Sequence, residues 1–375
     1  MKTFIKLFAI IHILIFFGCV NESKEGIKEL LISDNVIEDA FSSIISTYEV
    51  IGLDDQVDAY FDSPLRMILT DSLMIFAVPR PTPRILLFDN EGKYIRSIGK
   101  KGRGPGEINS IDDITFNEKD KTISVFQRNK ALILDLNGNL VEEILLDFNT
   151  VKVLNVGSGY LVEKRIATGD SLTDYQIRYV DKNFKTIDKS MPLKEVKLIG
   201  TVMEGQTNRA NINQSYSYFF PITGDTIFHL IGKSFRPVYK LTYDKEVFTQ
   251  ILLKEASQLT GEYLMEFANQ DLYRRLHYYE IGNLRLLHFS NNKKSLCYVY
   301  DEHLDTDKLL EDSYPLNGVH DNSGIILTKS LSLEKIIDKN IDPERNKCSN
   351  PDVLKSLIGR SGDDFVVIIK IKFKD

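Results

Sequence analysis

Apolar and polar positions alternate most clearly between Ile85 and Leu146, and that alternation predicts strands in pairs. Ile85 to Phe88 is an apolar run that ends on Asp89. Asn90, Glu91 and Gly92 then supply turn residues. Tyr94, Arg96 and Ile98 alternate with Ile95 and Ser97, the period-two signature of a strand. The two strands read as a hairpin. Gly99, Gly102, Gly104 and Gly106 follow, with Pro105 among them. No strand or helix interior tolerates that density, so a sharp corner is expected, carrying the chain from an outer strand to an inner one. A second unit follows: Ile111 to Phe116, Thr122 to Gln127, Ala131 to Leu136 and Leu140 to Leu146, with turns at Lys119-Asp120 and Asn137-Gly138. Four antiparallel strands in about forty residues match one blade of a β-propeller.

The remaining chain extends the pattern. Tyr48 to Leu53 and Leu65 to Val78 give a first blade spanning about 48–99. Lys152 to Lys164 and Tyr175 to Asp181 belong to a third blade, and Tyr216 to Pro221, Thr226 to Ile231 and Val238 to Tyr243 to a fourth. Residues 244–276 break it: Phe248, Ile251, Leu252, Ala256 and Leu259 recur at helical spacing, as do Tyr263, Phe267, Leu272, Tyr273 and Leu276. A small helical insertion is predicted there. Strands resume from Tyr278, a short helix is expected over Pro351 to Leu357, and Phe365 to Phe373 is the final strand. Closing the ring requires both chain ends to share a blade, so Tyr48 to Leu53 is expected near that final strand. The fold class is all-β, a six-bladed β-propeller of four-stranded antiparallel blades with a small helical insertion.

The N-terminus changes the cellular picture. Lys2 and Lys6 flank the start of an apolar run of eleven residues, Leu7 to Phe17, too short to span a bilayer and typical of a signal segment. Gly18-Cys19 directly after it resembles a bacterial lipobox, with Phe16 where Leu is usual. This predicts a signal peptide over 1–18, lipidation of Cys19, a tether over 19–40 and the propeller over 41–375. The location expected is the cell envelope, with a lipid anchor at the outer membrane, facing the periplasm or the cell surface. The chain has 375 residues and a formal charge of −6; removing Lys2 and Lys6 with the leader gives 45 − 53 = −8. That balance argues against nucleic acid as a partner. An exported protein could oxidise Cys297 and Cys348, but they are read as two unpaired thiols, and no Cys/His spacing suggests zinc.

With these segments in view, Arg103 to Glu107 (Arg-Gly-Pro-Gly-Glu), preceded by Phe88 to Gly92 and by Ile98-Gly99, resembles the signature of the six-bladed β-propeller lipoproteins common in Bacteroidota, relatives of NHL-repeat propellers. Asp225 to His229 followed by Pro237-Val238-Tyr239, and Gly362 to Ile369, resemble two further elements of that family. The resemblance implies a six-bladed propeller on a lipid anchor and no established reaction.

Candidate chemistry is sparse. The glycine-rich corner lacks the Lys-Ser/Thr ending of a phosphate loop and precedes no helix. Lys100, Lys101, Arg103 and Glu107 could instead stand at the channel mouth and attract an anionic ligand. Asp112-Asp113 is the most suggestive acid pair, yet adjacent strand residues point to opposite faces, which argues against a shared two-carboxylate site. Asp54-Asp55 and Asp363-Asp364 meet the same objection. The histidines are scattered, with His229 expected as a satisfied core residue, and no nucleophile elbow is present. The function expected is therefore non-enzymatic: a membrane-anchored exported lipoprotein whose propeller serves as a binding scaffold for a protein, peptide or small ligand, without cofactor. The alternatives are a lactonase-like hydrolase, which would bring Glu, Asn and Asp oxygens together around calcium at the axis, and a carbohydrate-binding accessory protein, which the lack of Trp weakens.

Overall fold

The computed structural model describes residues 26–32, 39–55, 59–61, 64–164, 175–192, 216–219, 226–231, 234–243, 275–290, 295–311, 313–360 and 364–374. The leader, Cys19 and residues 244–274 of the helical insertion predicted over 244–276 lie outside them, and residues 275–276 belong to the strand Arg275–Ile281. The described residues form six antiparallel blades in a ring. The first blade is Arg66–Leu69, Met74–Val78, Arg84–Phe88 and Tyr94–Ile98. The second is Asp113–Asn117, Thr122–Gln127, Lys130–Asp135 and Leu140–Leu145. The third is Thr150–Asn155, Tyr160–Lys164, Tyr175–Val180 and Thr186–Pro192. The fourth contains Tyr216–Phe219, Thr226–Ile231 and Ser234–Tyr243, and the fifth Arg275–Ile281, Leu284–Ser290, Ser295–Asp301 and Thr306–Glu311.

The sixth blade closes the ring. It takes Gly318–His320, Ser323–Lys329 and Val366–Phe373 from the C-terminal side and Ile45–Gly52 from the N-terminal side. Ile51 pairs with Ile368 and Tyr48 with Ile371, antiparallel. The expected neighbourhood of Tyr48 to Leu53 and the final strand is therefore observed. The expected start of the first blade at residue 48 is corrected: that strand belongs to the last blade, and the first blade begins at Arg66. The sixth blade also carries an excursion, the helix Ser330–Ile336 and the helix Pro351–Gly359, between two of its strands. Only the second of these helices was expected.

The stretch expected as tether is partly structured. Lys28–Ile32 pairs in parallel with Tyr239–Tyr243 on the rim of the fourth blade, and Asp39–Ala40 with Leu310–Glu311 on the fifth. Lys347–Cys348 does the same beside Thr47–Tyr48 on the sixth. These short strands cover edges whose N–H and C=O groups would otherwise invite pairing with other chains.

The core lies between blades, which explains the unbroken apolar strands. In Met74–Val78 every residue is buried. Ile75 and Ala77 pack with Ile114, Val125 and Leu132 of the second blade, whereas Met74, Phe76 and Val78 pack with Ile325 and Ile368 of the sixth. Successive side chains point to opposite faces, and both faces are covered, so alternation disappears from the sequence.

Turns repeat in register as well. Asp89, Asp135 and Asp181 end the third strands of the first three blades at a spacing of 46 residues (135 − 89 and 181 − 135). The Oδ1 atom of each accepts two backbone N–H bonds, from residues two and four further on, at 2.8–3.0 Å. In the fifth blade Asp301 Oδ1 accepts the N–H groups of residues two and three further on, His303 at 2.9 Å and Leu304 at 3.1 Å. The hairpins of the first three blades have a positive φ two residues before the fourth strand begins, at Gly92, Gly138 and Phe184. Gly92 supplies it at φ +90°, and a Cβ there would run into the carbonyl of Gly52. Asp54 N–H donates to the Gly92 carbonyl at 2.9 Å, so this turn also locks the first blade to the last.

Candidate functional site

The glycine corner is a joint. Glu107 accepts the Gly104 N–H at 2.9 Å and pairs with Lys100 at 3.1 Å, and these contacts, the backbone bond first, hold its carboxyl below the usual range. Gly106 N–H donates to Glu143 at 3.1 Å, on the outermost strand of the second blade, and Gln127 closes the end of the corner through the Asn109 N–H at 3.0 Å. Gly99, at φ +101°, lets Ile108 pack directly on the backbone. Lys100, Lys101 and Arg103 are exposed. The corner thus leans on the outer strand of the next blade, and Lys100, Lys101, Arg103 and Glu107, the residues expected at a ligand-binding mouth, all lie along it. The glycines are there for steric reasons, and Glu107 is engaged in capping them.

In the two acid pairs whose members are both described, the two carboxylates have different partners. Asp113 is 3% exposed; its Oδ2 accepts the Val153 N–H of the third blade at 2.7 Å, and its Oδ1 stands 3.7 Å from Arg66 Nε of the first. Asp112 turns the other way and accepts the Arg128 N–H. Asp54 accepts the Tyr94 N–H at 2.9 Å, and Asp55 pairs with Arg360 at 2.6 Å. Asp364 pairs with Lys329, while Asp363 lies outside the described residues.

His229 is satisfied, as expected, but by a charge network. Its Nε2 lies 2.8 Å from Glu280, which also accepts from the Tyr278 hydroxyl at 2.6 Å. Arg285 pairs with Glu302, which accepts from Tyr239 at 2.8 Å. The cluster joins the fourth blade to the fifth, and burial pushes the Tyr278 phenol well up. His288 is buried between Phe41 and Tyr279, and desolvation drives its pKa down to about 3. Cys297 is buried and Cys348 half-buried, both as free thiols. Among the described residues no group of three or more His, Cys, Asp or Glu side chains is placed to hold a metal ion. No described helix is long and apolar enough to cross a membrane.

Among the described residues, a concave feature with converging polar groups lies at the junction of the first and last blades. It is a cavity of about 370 Å³. Residues 64–67 at the start of the first blade form one wall, Leu327, Thr328, Lys329 and Val366 of the last blade the other, and Tyr314, Asn317 and Ser332 complete it. Among the described residues of its wall, the charged groups are Arg66 and Lys329 and none is a carboxylate. Lys329 stands 3.5 Å from Asp364 and 3.4 Å from the Phe61 carbonyl, with its ammonium 4.8 Å from the centre of the Tyr60 ring. Asn317 is fixed by the Leu327 N–H, which donates to its Oδ1 at 2.6 Å. Sequence reasoning missed this site. Its parts come from positions up to about 300 residues apart, and nothing local marks Arg66 or Lys329.

Two solved structures share the architecture. A Bacteroides fragilis protein whose name gives it as a predicted exported protein is 18% identical, covers 93% of this chain and 100% of its own, and superposes with a TM-score of 0.73. A member of the DUF4221 family from Bacteroides vulgatus is 11% identical, covering 88% of this chain and 98% of its own, with a TM-score of 0.53. At these identities the likeness shows the fold alone. A comparison with curated proteins finds no match. The model of the DUF4934 family, a domain of unknown function, matches residues 29–340, from the rim strand on the fourth blade into the helical excursion of the sixth, and the chain therefore belongs to that family.

Proposed function

We propose that this protein is an exported, lipid-anchored propeller of the cell envelope that binds a small ligand and carries out no reaction of its own. The carrying observation is the cavity between the first and last blades, with its two cations and neutral polar groups around about 370 Å³. That volume falls at the lower end of the roughly 300–1,000 Å³ range of small-ligand sites. Export and anchoring rest on the apolar leader followed by Gly18-Cys19, and on the name of the Bacteroides fragilis neighbour. Kinship with NHL-repeat propellers belongs to the same proposal. Lys28 follows Cys19 by nine residues, so an extended tether would keep the rim of the fourth blade within about 30 Å of the lipid. The calcium-dependent hydrolase would need several ligating oxygens at one point, and the described residues offer no such group of His, Cys, Asp or Glu side chains.

The test is metabolic labelling with a radioactive fatty acid, followed by fractionation. The native protein is expected to carry label and to sediment with membranes. Cys19→Ala is expected to lose the label and to fail to mature. Label retained by Cys19→Ala would overturn the anchor.

A further inference from the structure

We infer that the cavity at the junction of the first and last blades takes a small hydroxylated carboxylic acid, with a uronic acid as its model. This rests on the reading that the cavity is the ligand site. Arg66 and Lys329 both line it, and the acids that hold them, Asp113 and Asp364, are not part of its wall. Asp113 approaches Arg66 at Nε, the base of the guanidinium fork, and is itself fixed by the Val153 N–H. Lys329 is held by Asp364, the Phe61 carbonyl and the Tyr60 ring. Both cations are therefore oriented before a ligand arrives, which lowers the ordering cost of binding. A guanidinium matches the planar geometry of a carboxylate, and an ammonium adds a second charge-assisted donor. Beside them Thr328, Ser332 and Tyr314 offer hydroxyl groups of the kind that bond to a polyol. Among the described lining residues a cationic ligand would meet two like charges. A purely apolar ligand would strip water from both cations without replacing it.

The test is isothermal titration of the detergent-solubilised mature protein with galacturonate, galactose and inorganic phosphate. Galacturonate is expected to bind at least tenfold more tightly than either other probe, and to weaken as salt rises. Lys329→Gln should weaken it at least tenfold. Ser332→Trp, at an exposed position at the edge of the cavity, should abolish it while leaving both cations in place. Circular dichroism melts check that both variants fold. If galactose binds as tightly as galacturonate and Ser332→Trp blocks both, the acid preference is wrong and the cavity reading stands. Phosphate binding as tightly as galacturonate overturns the hydroxylated-carboxylate assignment. Galacturonate binding that neither variant changes overturns both the inference and the cavity reading, and no binding of galacturonate overturns the inference.

Discussion

At Asp113 one carboxylate links three blades: it starts the second, faces Arg66 of the first and accepts a backbone bond from Val153 of the third. Asp113→Ala would leave a buried N–H unpaired and remove the acid beside Arg66. The expected loss is about 3 kcal/mol, read as a lowered urea midpoint at unchanged slope. No loss would mean that Asp113 does not tie the blades. His288 makes a pH prediction. Its folded pKa of about 3 lies below its ordinary 6.5, so the unfolded chain binds more protons between those values. Stability contributed by the neutral imidazole is present above pH 6.5 and is lost as pH falls towards 3. Between pH 7 and pH 5 the native protein should lose about 2 kcal/mol that His288→Phe does not lose. Parallel pH profiles for the two proteins would refute this. Neither role was legible in the sequence. Asp112 and Asp113 look alike there, and only the ring decides which one is buried; His288 reads as one of six scattered histidines.

The repeated hairpin, and the way blades interlock through it, belong to the scale of elements. Strand–turn–strand units from Ile85 to Leu146 were legible because their turns are local: Gly92 and Asn137-Gly138 mark them. The 46-residue recurrence of Asp89, Asp135 and Asp181 is equally present in the sequence but does not stand out, because acids at strand ends look like surface charge until their N–H partners are known. Gly92 does more than turn, since its backbone approaches Gly52 across the closure. Gly92→Ala is expected to cost about 1–3 kcal/mol from the positive φ and the close approach together. The equivalent change at Gly157, also at positive φ but with open space around it, should cost less. Equal losses in thermal melts of the two variants would remove the interlock from the account.

On the scale of the whole molecule, the ring is closed by strand pairing between chain ends, which no local pattern encodes. Tyr48 to Leu53 stands close to Leu65 in sequence, which points to the first blade; its partners are more than 300 residues away. Lys28–Ile32 reads as tether because a five-residue rim strand carries little periodicity of its own. Two deletions separate these parts. Removing 26–40 should bare the rims of the fourth and fifth blades and lower the melting temperature while keeping one cooperative transition. Removing 26–53 takes away the closing strand and should abolish cooperative unfolding; a single sharp melt for this deletion would contradict closure through Ile45–Gly52. Closure also creates the candidate site, because the cavity exists only where the first and last blades meet. Hydrogen exchange on the mature protein, with and without saturating galacturonate, tests that claim most directly. The account predicts slowed exchange at 64–67, 313–317 and 327–332, with the corner at 99–108 unchanged. Slowing confined to that corner, or to blades away from the junction, would contradict it.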